Sequence, residues 1–235
     1  MRIAILPARG GSKRLPGKNI HPFCGKPVIA YPLAAARSSG LFDCIHVSTD
    51  DPDIRAKVES LGFPVDFLRA SRLCDDHTPL VPVLRWVLEE YRGRGRVFDE
   101  VCLILPCSPL ILAEDLVSAH RAFSADPRRL PVLSVVEFPV PIEWALRAES
   151  DGRLTPVEPG KAALRSQDIG KTFYDSGNFT FYPAAPILSG EPPDAGGYLP
   201  YHLPRARGLD IDSREDFELA ELIYRGRGLG LSDAG

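Results

Sequence analysis

The sequence predicts an α/β fold in which a mostly parallel sheet carries helices on both faces. Two observations predict it. Short apolar runs alternate with amphipathic helical segments over most of the chain, and helix-start and helix-stop residues punctuate the alternation. The 235 residues suffice for a single domain, 1–235, with room for an insertion.

The elements follow in order. Arg2-Ile3-Ala4-Ile5-Leu6 is a short apolar run suited to a strand covered on both faces. A first helix is expected from Val28 to about Ser39, with Ala34, Ala35 and Ala36 inside it and Gly40 as its stop. Cys44–Asp50 reads as a second strand with a polar end. The next helix has Asp51 as N-cap, Pro52 at its first position and Gly62 past its end. Val65–Leu68 is expected to be a short third strand. From about Pro79 to Arg92, Leu80, Val83, Leu84, Val87, Leu88 and Tyr91 form an apolar stripe at helical spacing. Glu100–Pro106, the most apolar run, reads as a central strand, Ala113–Phe123 as a helix and Pro131–Phe138 as a strand.

The pattern breaks between about Phe138 and Thr172, where Pro139, Pro141, Gly152, Pro156, Pro159 and Gly160 interrupt any helical period. Short strands and loops are expected there, arranged as an arm that contacts a second subunit. Order returns at Gly177–Pro183 and at Tyr198–Pro204. "GLDIDSREDFELAELIYRG" reads as a strand passing into a final helix, and the tail from about 226 to 235 as frayed.

Composition narrows the function. With 44% hydrophobic residues the chain can fill a core without metals or disulfides. Its 28 basic and 31 acidic residues give a net charge of -3, which leaves no footprint for general nucleic-acid binding. The five cysteines form an odd set with no C-x-x-C pair, which reads as free thiols in a reducing compartment. No apolar run approaches a membrane span, so a soluble, cytoplasmic protein is expected.

The chemistry is concentrated in loops that follow strands, where open parallel sheets bind their ligands. "LPARGGSKRLPGKN" (residues 6–19) crowds Arg9, Lys13, Arg14 and Lys18 around Gly10, Gly11 and Gly17. Such a cluster repels itself unless an anion lies across it, and backbone N–H groups there could cradle phosphates. The spacing is not that of a Walker A loop. Five residues separate Gly11 from Gly17 instead of four, and Asn19 stands where Ser or Thr would hold magnesium.

In an extended "LDID", Asp210 and Asp212 point to one side and Ile211 to the other. A carboxylate pair of this kind suits a hard divalent cation that also holds phosphates. Asp212 alone reads equally well as part of the helix start that Ser213 and Asp216 make. Beside the basic loop, the pair completes what transfer from a nucleoside triphosphate requires. Asp50 and Asp51, the run from Arg69 through Asp75, Asp76 and His77, and the polar set Arg165, Gln167, Asp168, Tyr174 and Asp175 are weaker candidates. The last set could line a sugar pocket.

"AILPARGGSKRLPGKNI", "GKPVIAYPLAAARSSGLFDCIHVSTDD", "FLRASRLCDDHT", "PCSPL" and "LDIDSREDFELAE" keep a family order across nearly the whole chain. Together they resemble the cytidylyltransferases that activate nine-carbon sugar acids as CMP-sugars. The resemblance implies a Rossmann-like nucleotidyltransferase fold, usually dimeric, with 138–172 as the arm reaching a partner. It implies CTP binding by Arg9, Gly10, Ser12, Lys18, Asn19, Arg69 and Asp76. It also implies magnesium (Mg2+) on Asp210 and Asp212, with Arg9, Lys18 and Asp210 in catalytic roles.

Arg165, Gln167, Asp168, Tyr174 and Asp175 would contact the sugar, with Arg165 a partner for its carboxylate. "DDHT" and "RSQD…FYDSGNF" look most like pseudaminic acid cytidylyltransferases. Sialic-acid enzymes carry a glutamine where this chain has Leu105. Legionaminic, sialic and 3-deoxy-manno-octulosonic acids are the alternative acceptors. A non-catalytic nucleotide-binding regulator is the alternative of another class.

Overall fold

The computed structural model of the protein describes residues 1–11, 15–75, 78–161 and 164–230. Its strands are β1 (Arg2–Pro7), β2 (Pro22–Phe23), β3 (Lys26–Pro27), β4 (Cys44–Ser48), β5 (Glu100–Ile104), β6 (Val132–Glu137), β7 (Leu146–Ala148), β8 (Leu154–Pro156), β9 (Phe173–Pro183) and β10 (Leu199–His202). Its helices are α1 (Ala30–Ser38), α2 (Pro52–Ser60), α3 (Leu80–Gly93), α4 (Ala113–Ala125), α5 (Ala184–Ser189) and α6 (Arg214–Gly230). The central sheet has six strands in the order β10-β6-β9-β5-β1-β4. Its neighbours are parallel except for β9, which runs antiparallel to both β5 and β6.

Alternation along β1 shows why the sheet is covered twice. Ala4 and Leu6 enter the core beneath α1, α2 and α4, with Leu33, Ile54, Val58, Leu116 and Phe123. Ile3 and Ile5 enter the opposite core beneath α3 and α5, with Leu84, Val87, Tyr91 and Ile187. A third cluster of Phe23, Val28, Cys107, Leu110, Ile211, Phe217 and Ala220 fastens α6 to the site edge of the sheet. Asp51 caps α2 as expected, its Oδ1 accepting the Asp53 and Ile54 N–H groups at 2.7 and 3.2 Å.

Several elements differ from expectation. Val65–Leu68 bends at Phe67 and joins no ladder, so the third strand expected there is absent. Val65 is buried against α2, while the Tyr91 hydroxyl donates to Asp66 Oδ2 at 2.8 Å. "LDID" is extended, likewise without strand pairing. The order expected to return at Gly177 resumes earlier, with β9 at Phe173. Its register against β6 shifts between Leu133 and Val135, and Ser134 fills the irregularity by donating to Phe179 O and accepting from Phe179 N–H and Ser176 Oγ.

Helix α6 continues to Gly230, through the start of the stretch expected to be frayed. Arg227 Nη1 pins it to Leu110 O at 3.3 Å, and residues 231–235 lie outside the described residues. The interrupted stretch after Phe138 forms the antiparallel β7–β8 hairpin, which turns at Gly152 with φ 84°.

Candidate active site

The loops after β1, β4 and β5 converge at the carboxyl edge of the sheet. Ala8 N–H donates to Ser48 O at 2.8 Å, which carries the β1–β4 pairing into the loop. Gly10 N–H then donates to Asp50 Oδ1 at 3.2 Å. A Cβ on Gly10 would lie 2.3 Å from Asp51 Oδ2, so this approach needs glycine. Asn19 is 8% exposed. Its Nδ2 donates to Arg9 O at 2.9 Å, and its Oδ1 accepts from Cys107 Sγ at 3.5 Å, tying the basic loop to the end of β5. Lys18 Nζ reaches Asp212 Oδ1 at 3.0 Å, an ion pair across 194 positions that joins the loop to the acidic pair.

The acidic pair is held in place from below and behind. Ile211 is fully buried, while Asp210 and Asp212 on either side of it are not, so the two carboxylates share a side although no ladder holds them. Asp216 Oδ2 accepts the N–H groups of Asp212 and Ser213 at 3.1 and 2.8 Å, and Asp216 N–H donates back to Ser213 Oγ at 3.2 Å. This reciprocal cap fixes where the extended segment ends. Behind the pair, Gly177 has φ 62°, and a Cβ there would stand 2.9 Å from Asp210 Cγ.

Electrostatics give the pair its chemistry. Burial of the Asp210 carboxyl raises its pKa, and the charges of Asp212 and Asp175 push it further up against the opposing pull of Lys18. A divalent cation would relieve that repulsion. Magnesium keeps several waters and substrate phosphate oxygens, so two carboxylates such as Asp210 and Asp212 would fit its need for few protein ligands. Among the described residues no group of three or more His, Cys, Asp and Glu forms a closed metal cage. Cys107, whose thiol burial pushes up to about 12, is not a nucleophile.

The remaining candidates fall in different places. Arg69 is 6% exposed beside the loop. Its Nε donates to Ser48 Oγ at 3.0 Å and its Nη2 to Ser48 O at 2.6 Å, which locks the end of β4. Ser12, Asp76 and His77 lie outside the described residues. Arg165, Gln167 and Asp168 lie in a short turn of the arm, where Asp168 N–H donates to Arg165 O at 2.9 Å. No contact among the described residues joins those three to the aspartate pair. Tyr174 packs edge-on against Phe138 at 4.9 Å. Asp175 does reach the site, since its charge acts on Asp210 and its Oδ1 accepts Gly177 N–H at 2.9 Å.

Sequence reasoning missed Gly177. A glycine inside a strand run marks a bulge or a close approach, and that signal was present. Asp50, one of the weaker candidates, proves to hold the basic loop by accepting the Gly10 N–H.

Comparisons with known proteins agree with this geometry. The family model for cytidylyltransferases matches residues 3–94. The chain is 31% identical over 226 residues to the pseudaminic acid cytidylyltransferase of Campylobacter jejuni subsp. jejuni, covering 95% of this chain and 96% of that one. It is 34% identical over 159 residues to the CMP-N,N'-diacetyllegionaminic acid synthase of Legionella pneumophila, over 67% of this chain and 68% of that one. The backbone matches a CMP:2-keto-3-deoxy-manno-octonic acid synthetase, solved in complex with CTP, with a TM-score of 0.71 at 17% identity over 96% of this chain and 99% of that one. At that identity the last match speaks for the fold alone. With a basic glycine loop joined to an aspartate pair on this fold, and a relative of this identity along nearly its whole length, the chain belongs to the cytidylyltransferase family.

Proposed function

We propose that the chain transfers CMP from CTP to the anomeric hydroxyl of a nonulosonic acid, pseudaminic acid, with release of pyrophosphate. The observation that carries this reading is the Lys18–Asp212 contact at 3.0 Å, because it puts the phosphate-binding loop and the carboxylate pair in one site. Similarity to a pseudaminic acid cytidylyltransferase along 95% of the chain supports the acceptor.

In this reading Arg9, Gly10 and Lys18 receive the triphosphate. Lys18 moves its ammonium from Asp212 to phosphate oxygens and offsets charge on the α-phosphate and on the departing pyrophosphate. Asn19 holds the loop in shape by its bonds to Arg9 O and Cys107 Sγ. Asp210 and Asp212 would hold Mg2+, which when bound neutralises phosphate charge and polarises the phosphorus. Asp175 borders the acceptor hydroxyl. The energetic demand on the protein is mostly positioning and electrostatics.

The arm favours a homodimer. Val140 before the hairpin and Leu146 and Leu154 within it expose 55%, 54% and 62% of their surfaces, apolar side chains that a second copy would cover. Arg165 would be brought to sugar by that arm. Five free thiols and a nucleoside triphosphate substrate favour the cytoplasm. Among the described residues no helix is long and apolar enough to cross a membrane.

Phosphorus NMR of the protein with CTP, magnesium and each of the pseudaminic, legionaminic, sialic and octulosonic acids tests the reading. A single new phosphodiester resonance together with pyrophosphate, in the pseudaminic sample, is expected. CTP left intact with every acid contradicts the reaction, and product from another acid alone contradicts the acceptor.

A further inference from the structure

No strand ladder holds the backbone that carries Asp210 and Asp212. Just past β10, Leu203 N–H still donates to Val135 O at 2.9 Å. The chain then turns, and the Arg207 and Gly208 N–H groups both donate to Pro204 O, at 2.7 and 3.1 Å. From there the place of the two carboxylates depends on side chains. Downstream, Ile211 is fully buried and Asp216 caps the backbone of Asp212 and Ser213. Upstream, the anchors are Arg207 and Gly208.

Arg207 reaches across to the start of α4. Its Nη1 donates to Asp115 Oδ2, and the two side chains are 17% and 3% exposed. Asp115 Oδ2 also accepts the Leu112 N–H at 2.8 Å, and its Oδ1 accepts the Tyr201 hydroxyl at 2.9 Å. One buried carboxylate therefore joins a helix start, the edge strand β10 and the segment that leads to the aspartate pair. Gly208, next in the chain, is buried so closely that a Cβ would clash with Val136 Cγ2 and crowd Ser176 Cβ at 3.3 Å. Ser176 adjoins Gly177, against which Asp210 rests.

A buried ion pair adds little net stability over well-packed apolar side chains. What it supplies is direction, because a planar guanidinium meets a carboxylate in few geometries. Arg207 stands three residues before Asp210, at most about 10 Å of chain, so a shift at its Cα reaches that carboxylate with little slack. Resting on the metal reading above, we infer that Arg207, anchored by Asp115, is a positioning residue for the metal-binding pair. It holds Asp210 and Asp212 where one divalent cation can meet both. Among the described residues neither Arg207 nor Asp115 hydrogen-bonds to the basic loop, so its loss acts on metal and rate and spares the loop's grip on nucleotide.

The test measures CTP affinity by calorimetry with magnesium and again with EDTA, beside kcat with pseudaminic acid and the urea-unfolding midpoint. Calorimetry needs no sugar acid, so its outcome is independent of the acceptor. Wild type is expected to bind CTP at least about tenfold tighter with magnesium, and Asp212→Asn to lose that gain. Arg207→Met is expected to lose it too, with kcat down about tenfold or more and CTP affinity in EDTA within about twofold of wild type. Arg207→Lys keeps a cation beside Asp115 and is expected to recover part of the gain. Tyr201→Phe takes a hydrogen bond from the same carboxylate and leaves Arg207 in place. It is expected to lower the midpoint with the gain and kcat within about twofold of wild type.

A full magnesium gain and kcat in Arg207→Met, with only the midpoint lowered, overturns the inference and leaves the metal site standing. If Arg207→Met does not fold, Arg207→Lys decides. A gain smaller than that of Tyr201→Phe supports the inference, and an equal one overturns it. No magnesium gain in wild type, or an undiminished one in Asp212→Asn, overturns the metal reading and this inference with it.

Discussion

Lys18 is where the two halves of the site meet, and its environment fixes what its loss does. Its side chain is 18% exposed with Nζ 3.0 Å from Asp212, so Lys18→Met removes a cation from the proposed phosphate site and takes this ion-pair partner from Asp212. The expected result is a fall in kcat/KM of about 10^2–10^3 with an unchanged circular dichroism spectrum, because one transition-state contact of this kind is worth ~3–4 kcal/mol. Full activity in that variant would place the phosphates elsewhere. Of the single-residue expectations, those resting on side-chain direction were legible in the sequence. The sidedness of Asp210, Ile211 and Asp212 needs only an extended backbone, and it holds without a strand. Burial was not legible. The sequence shows Arg69 as a cation before a helix and cannot show that Ser48 occupies its Nε and Nη2.

Two elements carry testable consequences. Strand β9 bulges at Gly177 to let Asp210 approach, and alanine there meets both a φ of 62° and an Asp210 Cγ at 2.9 Å. Gly177→Ala is expected to cost ~1–2 kcal/mol in denaturant unfolding and at least about tenfold in kcat. Wild-type behaviour would mean the backbone yields without moving Asp210. Strand β4 buries His46 completely, with Nδ1 at 3.1 Å from the Tyr91 hydroxyl and Nε2 unpartnered among the described residues.

Burial lowers the His46 pKa to about 4. Asp66 acts against that shift, and Arg69 and Arg94 act with it. Because the folded pKa lies below the unfolded one, the unfolded chain binds the proton first as pH falls. Stability is therefore full above about pH 6.5 and is lost progressively down to about pH 4. A fully buried shift of that size corresponds to about 3 kcal/mol, so His46→Gln should lose that much less than wild type over the same window. Equal losses of urea-unfolding free energy in wild type and His46→Gln between pH 7 and pH 4.5 would contradict it.

At this scale the sequence located α1 to α4 and α6 through their caps and stripes. It did not reveal that β9 runs antiparallel, because the direction of a strand depends on its neighbours. Nor did it reveal that Val65–Leu68 lacks a ladder, since a short apolar run reads the same with or without a partner strand.

The whole molecule is a two-faced sheet with its chemistry at one edge and an apolar arm beside it. If the arm pairs two copies, sedimentation should give twice the 25.8 kDa chain mass, and Leu146→Glu with Leu154→Glu should return it to one. A wild-type monomer at micromolar concentration would remove the arm from the assembly. Fold class was readable at this scale, and so was the edge of the sheet where the candidate loops gather, because loop positions follow strand order. The approach of Asp175 and Gly177 to Asp210 was not, because β9 and the segment before α6 are distant in sequence and only the folded chain brings them together.

The most direct test of the central claim is the rate of pyrophosphate release from CTP, magnesium and pseudaminic acid by Asp212→Asn beside wild type. The side chains differ by one charge, and the Ser213–Asp216 cap that sets the local backbone is untouched. A fall of about 10^2–10^3 in kcat with the fold intact is the predicted result. A near-normal rate would mean that the aspartate pair joined to the basic loop is not where phosphoryl chemistry occurs.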